Sequence, residues 1–204
     1  MIGIVDYGLG NLQAFANIYK RLNLPFSLVS TPEALEQADH LILPGVGSFD
    51  WAMQRLNDSG LRQTLDKQVL EKEIPVLGVC VGMQMMARSS EEGSESGLGW
   101  IDGEVKRFEF NSDYSHLMLP HMGWNDVTTT QVNKIFAGLD SDALFYFLHS
   151  YFFAPRKEIE ILATAIYGEK FVCAVGNKNC YGVQFHPEKS HSWGIQLLKN
   201  FAEI

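Results

Sequence analysis

The stretch PVLGVCVGMQ, residues Pro75–Gln84, decides the fold of this chain. An apolar run of strand type leads into G-x-C-x-G, and a helical pattern follows the second glycine. Such a junction is typical of a nucleophile elbow, a turn so tight that side chains two positions before and after the nucleophile would collide. We expect it to lift the Cys80 thiol above the carboxyl edge of a parallel sheet and to leave the Val81 N–H available to an oxyanion.

A buried structural cysteine is the alternative interpretation of Cys80, because free cysteines often serve as small core residues. The flanking glycines, set between a buried strand and a helix, favour the nucleophile. The other two cysteines, Cys173 and Cys180, lie seven positions apart without a C-x-x-C pattern. This predicts neither a disulfide framework nor a zinc site, so we expect reduced thiols and no metal.

Short apolar runs that end in glycine- or proline-rich turns continue on both sides of this stretch. Runs such as Met1–Val5 and Leu41–Leu43 alternate with amphipathic segments. The alternation predicts βαβ units and a mainly parallel central sheet flanked by helices. After about residue 100 the pattern changes to short strands joined by turns, which predicts additional antiparallel strands in the C-terminal half. Because no linker or internal repeat interrupts the pattern, we expect one domain over residues 1–204.

Charge and hydropathy exclude several classes of function. The 204 residues carry a formal net charge of −8, with 24 acidic and 16 basic side chains, which makes nucleic-acid binding a poor interpretation. No stretch approaches the roughly 18 apolar residues that span a membrane. The N-terminus has neither the basic region nor the apolar run of a signal peptide. We therefore expect a soluble cytoplasmic protein.

The segment Tyr181–Ser190, YGVQFHPEKS, contains the groups that a thiol nucleophile requires. Alternating apolar residues predict a strand that delivers His186 at its end, where Pro187 terminates it. We expect an extended backbone to project His186 and Glu188 to the same side, so that the carboxylate orients the imidazole. The alternative is an ordinary surface turn after a strand, but an elbow at Cys80 favours a catalytic triad.

The two segments together resemble the triad frame of class I glutamine amidotransferases. The resemblance continues in collinear order over nearly the whole chain, and it is closest to the glutaminase subunits of imidazole glycerol phosphate synthases. PHMGWN and DYGxGN are more specific to those subunits than the triad frame is. The segments that carry the resemblance are IGIVDYGLGN (2–11), LPGVGSFDWAM (43–53), SSEEGSESGLGWIDGEVKRF (89–108), PHMGWND (120–126), LHSY (148–151) and VQFHPEKSHSWGIQLLKNF (183–201).

This resemblance implies a flavodoxin-like fold of the class I amidotransferase type and a glutaminase that needs no cofactor. It implies the catalytic triad Cys80, His186 and Glu188. The oxyanion would be held by the N–H of Val81 and, after a local flip of the Pro44–Gly47 loop, by that of Val46 or Gly47. The residues implied to bind the substrate are Gly45, Gln84, His149, Ser150 and Tyr151.

The resemblance also implies a partner. L-Glutamine would be hydrolysed to glutamate and ammonia, and a (β/α)8-barrel cyclase subunit, bound as a heterodimer, would use the ammonia in histidine biosynthesis to form imidazole glycerol phosphate and aminoimidazole carboxamide ribotide. One departure from the family pattern is the apolar segment Tyr114–Leu119, where a basic residue often precedes the PHMGWN motif. The residues implied to meet the partner are Pro120, His121, Met122, Gly123, Trp124 and Asn125.

Three alternatives remain open at this point. A paralogous subunit could supply ammonia to a sugar amidotransferase in surface-polysaccharide synthesis, with the same chemistry and a different partner. A non-catalytic binding module could dock on a synthase, although an intact triad frame argues against it. A cysteine peptidase or γ-glutamyl hydrolase would share the elbow and the histidine, but it would not be expected to carry PHMGWN.

Overall fold

The structure is a computed structural model that describes residues 1–139 and 142–204. Strands are its main elements, and most are short. In chain order they are β1 Ile2–Val5, β2 Phe26–Val29, β3 His40–Gly45, β4 Val76–Cys80, β5 Ser89–Ser90, β6 Gly103–Arg107, β7 His121–Asp126, β8 Thr128–Thr129, β9 Leu144–His149, β10 Tyr151–Pro155, β11 Ile161–Tyr167, β12 Glu169–Asn177 and β13 Cys180–Val183.

Helices connect the strands of the N-terminal half and close the chain. The α-helices are α1 Leu12–Arg21, α2 Pro32–Leu35, α3 Phe49–Asp58, α4 Arg62–Asp66, α5 Val81–Met85 and α6 His191–Ala202. A π-helical turn, Lys67–Glu71, continues α4, and short 3-10 turns cover Ser112–Tyr114, Lys134–Phe136, Glu158–Glu160 and Pro187–Lys189. In the described ranges, no helix has the length and apolar character needed to cross a membrane.

The central sheet has the strand order β2-β1-β3-β4-β13-β12-β11-β8. The pairs from β2 to β13 are parallel, and the pairs from β13 to β8 are antiparallel. The predicted fold class, a mainly parallel sheet with helices and with antiparallel strands in the C-terminal half, is confirmed. Two smaller sheets, β10-β6-β5 and the antiparallel pair β7-β9, complete the structure.

Burial explains why these segments become strands and helices. Every residue of β1 and β4 is buried, as expected for parallel strands that are covered on both faces. Helix α1 buries Phe15 and Tyr19 on one stripe and exposes the opposite stripe. The Tyr19 hydroxyl donates a hydrogen bond to the Leu198 carbonyl at 3.3 Å, which ties α1 to α6.

Two elements differ from the sequence prediction. The amphipathic segment over about residues 61–72, whose pattern predicts one helix, is α-helical only to Asp66 and then widens into the π-helical turn. In that turn Gln68 is buried, and its Nε2 donates to the Leu35 carbonyl at 3.1 Å. The strand expected over Tyr181–Phe185 ends at Val183. Beyond it the Gln184 N–H still donates to the Cys173 carbonyl of β12, and the His186 N–H donates to the Tyr146 carbonyl of β9.

Candidate active site

Cys80 occupies a strained turn at the carboxyl end of β4. Its φ of 55° and ψ of −115° are unusual for a residue with a side chain, and such strain concentrates at functional sites. A Cβ on Gly82 would lie 1.9 Å from the Leu43 carbonyl oxygen, and one on Gly78 would lie 2.6 Å from the Gly82 oxygen. The prediction that the flanking glycines are required sterically is therefore confirmed.

His186 and Glu188 form a buried pair beside this turn. His186 Nδ1 lies 2.8 Å from Glu188 Oε1, and the two side chains are 5% and 2% exposed. The backbone between them is not extended as the sequence suggested, because Pro187 begins a 3-10 turn. The turn, and not strand alternation, brings the carboxylate back to the imidazole.

The His186 backbone is clamped to β9. Its N–H donates to the Tyr146 carbonyl at 2.8 Å. The Ser190 hydroxyl donates to the His186 carbonyl at 2.6 Å and accepts from the Tyr146 N–H at 3.0 Å. Ser190 is fully buried, so this ring of hydrogen bonds fixes the position from which the imidazole projects.

The pKa of His186 is set by burial and by its two neighbours, Cys80 and Glu188. Burial alone lowers the pKa of His186, but hydrogen bonds with Cys80 and Glu188 and the negative charge of both groups raise the pKa to about 10. Because Nδ1 faces Glu188, Nε2 is the nitrogen available to Cys80. The arrangement therefore favours the protonated, imidazolium form of His186 near neutral pH.

A cavity of about 320 Å³ opens above Cys80 and His186. This is the volume of a small-molecule site. Cys80 and His186 line it together with eight of the residues predicted to act around them, whereas Gly45 is not among the lining residues. The lining residues from the predicted set are Val46, Gly47, Val81, Gln84, His149, Ser150, Tyr151 and Pro120.

The loop that faces Val81 across the cavity has the geometry of a flexible turn. Gly47 has a φ of +83°, and Val46 is 39% exposed. The Tyr7 hydroxyl donates to the Pro44 carbonyl at 2.6 Å and holds the base of the loop. Gly45 approaches the elbow so closely that a Cβ would lie 2.2 Å from the Gly82 nitrogen, so only glycine fits at this position.

Gln84 presents its oxygen to the cavity. Its Nε2 donates to the Tyr151 carbonyl at 3.1 Å and to Gln184 Oε1 at 3.0 Å. Both amide hydrogens are then used, so Oε1 is the atom left to accept an N–H from a bound molecule. The Cys80 sulfur lies 3.7 Å from Gln184 Nε2 and 3.9 Å from the Leu148 carbonyl oxygen.

His121 and His149 form a second buried pair, in which His149 lines the cavity and His121 lies behind it. His149 Nδ1 donates to the Tyr151 carbonyl at 2.8 Å, which leaves Nε2 to accept from His121 Nδ1 at 3.0 Å. His121 Nε2 then accepts from Asn125 Nδ2 at 3.2 Å. Burial lowers the pKa of His121 to about 4 and is the main reason why that of His149 falls to about 3. Both rings are therefore neutral at pH 7.

The predicted interface residues divide between the two faces of β7. Met122 and Trp124 are 65% and 45% exposed, whereas His121 is buried and Asn125 donates to the Ile166 carbonyl at 2.8 Å. The expectation that His121 lies on the exposed face is wrong, because strand alternation turns its ring inward. Met122 pairs with Leu148 on β9, and Leu148 also lines the cavity.

Four residues of the site were not identified from the sequence. Glu92, Leu148 and Lys189 line the cavity, and Gln184 lies beneath it in contact with Cys80 and Gln84. Gln184 and Lys189 belong to the motif around His186, so their position in YGVQFHPEKS was the signal. Glu92 comes from the loop after β5, where its carboxylate accepts from the Phe49 N–H at 2.8 Å, and nothing local marks it.

Comparisons with known proteins agree with this geometry. The family described as Glutamine amidotransferase class-I matches residues 3–204. A solved structure titled "Crystal structure of glutamine amidotransferase" superposes with a TM-score of 0.76 and 22% identity, over 99% of this chain and 97% of that one. The chain belongs to the class-I glutamine amidotransferase family.

Within that family the similar curated proteins carry a more particular name. "Imidazole glycerol phosphate synthase subunit HisH" of Bdellovibrio bacteriovorus is 56% identical over 204 residues, which cover 100% of both chains. "Imidazole glycerol phosphate synthase subunit HisH 2" of Pseudomonas aeruginosa is 48% identical over 204 residues, again 100% of both. The chain is a glutamine amidotransferase of this HisH group.

Proposed function

We propose that this chain is the glutaminase subunit of an imidazole glycerol phosphate synthase, which releases ammonia from L-glutamine for a (β/α)8-barrel cyclase. The observation that carries the proposal is the convergence of Cys80, the His186–Glu188 pair and the Gln84 oxygen on one cavity. Full-length similarity to proteins of that name supports the histidine-biosynthesis assignment. We place the subunit in the cytoplasm and treat residues 1–204 as one domain.

The first half of the reaction forms a thioester. The Cys80 thiolate attacks the side-chain amide carbon of glutamine, a C–S bond forms, and the carbonyl oxygen becomes an oxyanion. The Val81 N–H donates to that oxyanion, and the N–H of Val46 or Gly47 joins it after the loop flips. Imidazolium Nε2 of His186 gives its proton to the departing nitrogen, the C–N bond breaks, and ammonia leaves.

The second half regenerates the enzyme. Neutral His186 takes a proton from water, which attacks the γ-glutamyl thioester. The C–S bond breaks, glutamate leaves, and the sulfur returns as a thiolate beside an imidazolium. Glu188 holds the imidazole through Nδ1 and stabilises its positive charge throughout, without itself taking the proton.

The substrate's amino-acid end requires complementary groups that the cavity supplies. Glu92 is the acidic side chain on its wall, so we assign it to the α-ammonium group. Backbone groups of His149, Ser150 and Tyr151 would bind the α-carboxylate, and the Gln84 oxygen would accept an N–H of the substrate. The neutral His121–His149 pair supports this segment from behind.

The outer face of β7 and β9 is the proposed docking surface for the cyclase. It exposes Met122, Trp124, Leu144 and Leu148, and Leu148 and Pro120 continue it to the mouth of the cavity. A contiguous apolar face of this kind on a surface typically marks a protein interface. Ammonia leaving Cys80 would then emerge under the partner and not into solvent.

The apolar segment before Pro120 is only partly packed against its own chain. Leu117 lies near Gly168, and the Tyr167 hydroxyl donates to the Met118 carbonyl at 2.6 Å. Leu117 and Leu119 are half-buried, and the Met118 side chain is exposed. The choice of the cyclase over a sugar amidotransferase as the recipient of ammonia therefore rests on the full-length similarity to the HisH proteins and not on this segment.

Glutamate release from L-glutamine tests the proposal. We would measure it for the chain alone, for the chain with the cognate cyclase and its nucleotide ligand, and for Cys80→Ala with both. We expect strong stimulation by the cyclase and none in Cys80→Ala. Equal activity without a partner would identify a free hydrolase. Stimulation only by a barrel protein encoded among surface-polysaccharide genes would identify the alternative, an ammonia supplier for a sugar amidotransferase.

A further inference from the structure

Gln184 lies between two groups of the proposed reaction and has no part in the mechanism above. It follows the last residue of β13, and its N–H donates to the Cys173 carbonyl at 2.8 Å, which anchors the backbone to β12. Its side chain is fully buried. Its Nε2 lies 3.7 Å from the Cys80 sulfur, and its Oε1 lies 3.0 Å from Gln84 Nε2.

The chemistry of an amide fixes which end faces which partner. A thiolate can only accept hydrogen bonds, so the NH₂ end of Gln184 must face Cys80. The oxygen end then faces Gln84 and must receive an N–H from it. Since Gln84 Nε2 gives its other hydrogen to the Tyr151 carbonyl, the Gln84 oxygen is left for the cavity.

We propose that Gln184 is a positioning residue that couples the charge of Cys80 to the orientation of Gln84. It donates a hydrogen bond that stabilises the thiolate, and through the same planar amide it turns the acceptor of Gln84 toward the substrate. An amide rotated by 180° would present an oxygen to the sulfur and an NH₂ group to Gln84 Nε2, and both contacts would be repulsive. One buried side chain therefore prepares the nucleophile and a binding contact together.

This inference rests on the proposed function in taking Cys80 as the nucleophile and L-glutamine as the ligand. The two ideas separate experimentally, because alkylation of a thiol reports its reactivity without any turnover. We would follow iodoacetamide labelling of Cys80 by peptide mass spectrometry, in the full chain, as a function of pH. The concentration of L-glutamine that halves the labelling rate gives a second readout.

The test compares Gln184→Met with the wild-type chain. Methionine fills a similar volume but donates no hydrogen bond, so we expect the midpoint of the pH–labelling profile to rise by about one pH unit. We expect the half-protecting glutamine concentration to rise several-fold as Gln84 loses its orientation. Gln68→Met is the matched control, since Gln68 is equally buried and bonds only to the Leu35 carbonyl. It should leave both values unchanged.

The outcomes are distinct. A folded Gln184→Met chain with a wild-type labelling profile would overturn the inference, because a space-filling role would move stability alone. If that variant does not fold, Gln184→Asn is measured in the same way. Its amide is one methylene shorter and cannot reach both partners, so unchanged values of both readouts would also overturn it. Failure of glutamine to protect even the wild-type chain would count against the proposed function, while the pH profile would still test the contact with sulfur.

Discussion

Nδ1 of His186 lies 2.8 Å from Oε1 of Glu188, and both side chains are almost completely buried. The contact fixes the tautomer of the imidazole, because a carboxylate can only accept and Nδ1 must therefore carry hydrogen. Nε2 is then the nitrogen that is available to Cys80. A pair of residues two positions apart thus sets both the orientation and the charge of the base.

Replacing Glu188 by glutamine should preserve the fold and remove most of the activity. Glutamine can still occupy the site, but it is neutral, and its NH₂ group can turn toward Nδ1 and favour the wrong tautomer. By analogy with a triad that loses its carboxylate, we expect partner-stimulated kcat to fall by about 10²–10⁴. Glutamate release in the presence of the cyclase measures the effect.

The matched control is Glu203→Gln, in an exposed ion pair with Lys199 near the C-terminus. We expect wild-type kcat for it, because exposed pairs contribute little. Near-normal turnover in Glu188→Gln would show that hydrogen bonding alone orients His186 and that the charge of Glu188 is not required.

Gly82→Ala should destabilise the elbow far more than alanine at a glycine in open space. The new Cβ would lie 1.9 Å from the Leu43 carbonyl oxygen, which is backbone and cannot move cheaply. We expect a loss of several kcal/mol in the free energy of unfolding, whereas Gly60→Ala, with a φ of +76° and nothing within 4 Å, should cost about 1–2 kcal/mol. Urea denaturation compares them, and equal losses would contradict the steric account.

Trp124→Ala should weaken binding of the cyclase without disturbing the isolated chain. Its ring is 45% exposed and stacks on His191 at the docking surface. Loss of a central aromatic anchor typically costs about 2 kcal/mol or more, so we expect Kd to rise by roughly 30-fold or more. Calorimetric titration measures this, with Ile159→Ala, a 75% exposed residue outside that surface, as the control. Equal affinities would exclude this face as the interface.

Stability should fall as the pH drops from about 6.5 toward 4, because of His121 and His149. Their pKa values are lowered by burial to about 4 and about 3, so below pH 6.5 the unfolded chain binds protons that the folded chain does not. Each histidine then costs up to about 1.4 kcal/mol of stability per pH unit. The raised pKa of His186 does not offset this, since His186 is protonated in both states in that range.

Urea midpoints at pH 7 and pH 5 measure this loss. His121→Gln removes one titrating group, so the difference between its two midpoints should be smaller than in the wild-type chain. His116→Gln, at an exposed position, should keep the wild-type difference. An unchanged pH dependence in His121→Gln would mean that other groups govern acid stability.

The sequence by itself determined the elements whose cause is local. Gly78 and Gly82 are needed because a strand meets a helix in a tight turn at Cys80. The alternation of apolar runs with helices follows from the burial of β1, β3 and β4. The proposed triad could be named for the same reason, because the candidate nucleophile, base and orienting carboxylate lie in two short segments with distinctive neighbours.

Only the tertiary structure decided what depends on segments far apart in the chain. Gln184 acquires its contacts because β13 lies beside β4. This pairing brings Gln184 next to Gln84 and Cys80, which precede it in the chain by 100 and 104 positions. The His121–His149 pair exists because β7 and β9 pair in one register. Glu92 reaches the cavity from a loop with no local signal. The hydrogen-bond direction and burial of these residues are set by contacts with distant segments, which no local pattern specifies. The sequence could therefore name the candidate nucleophile but not the groups that surround it.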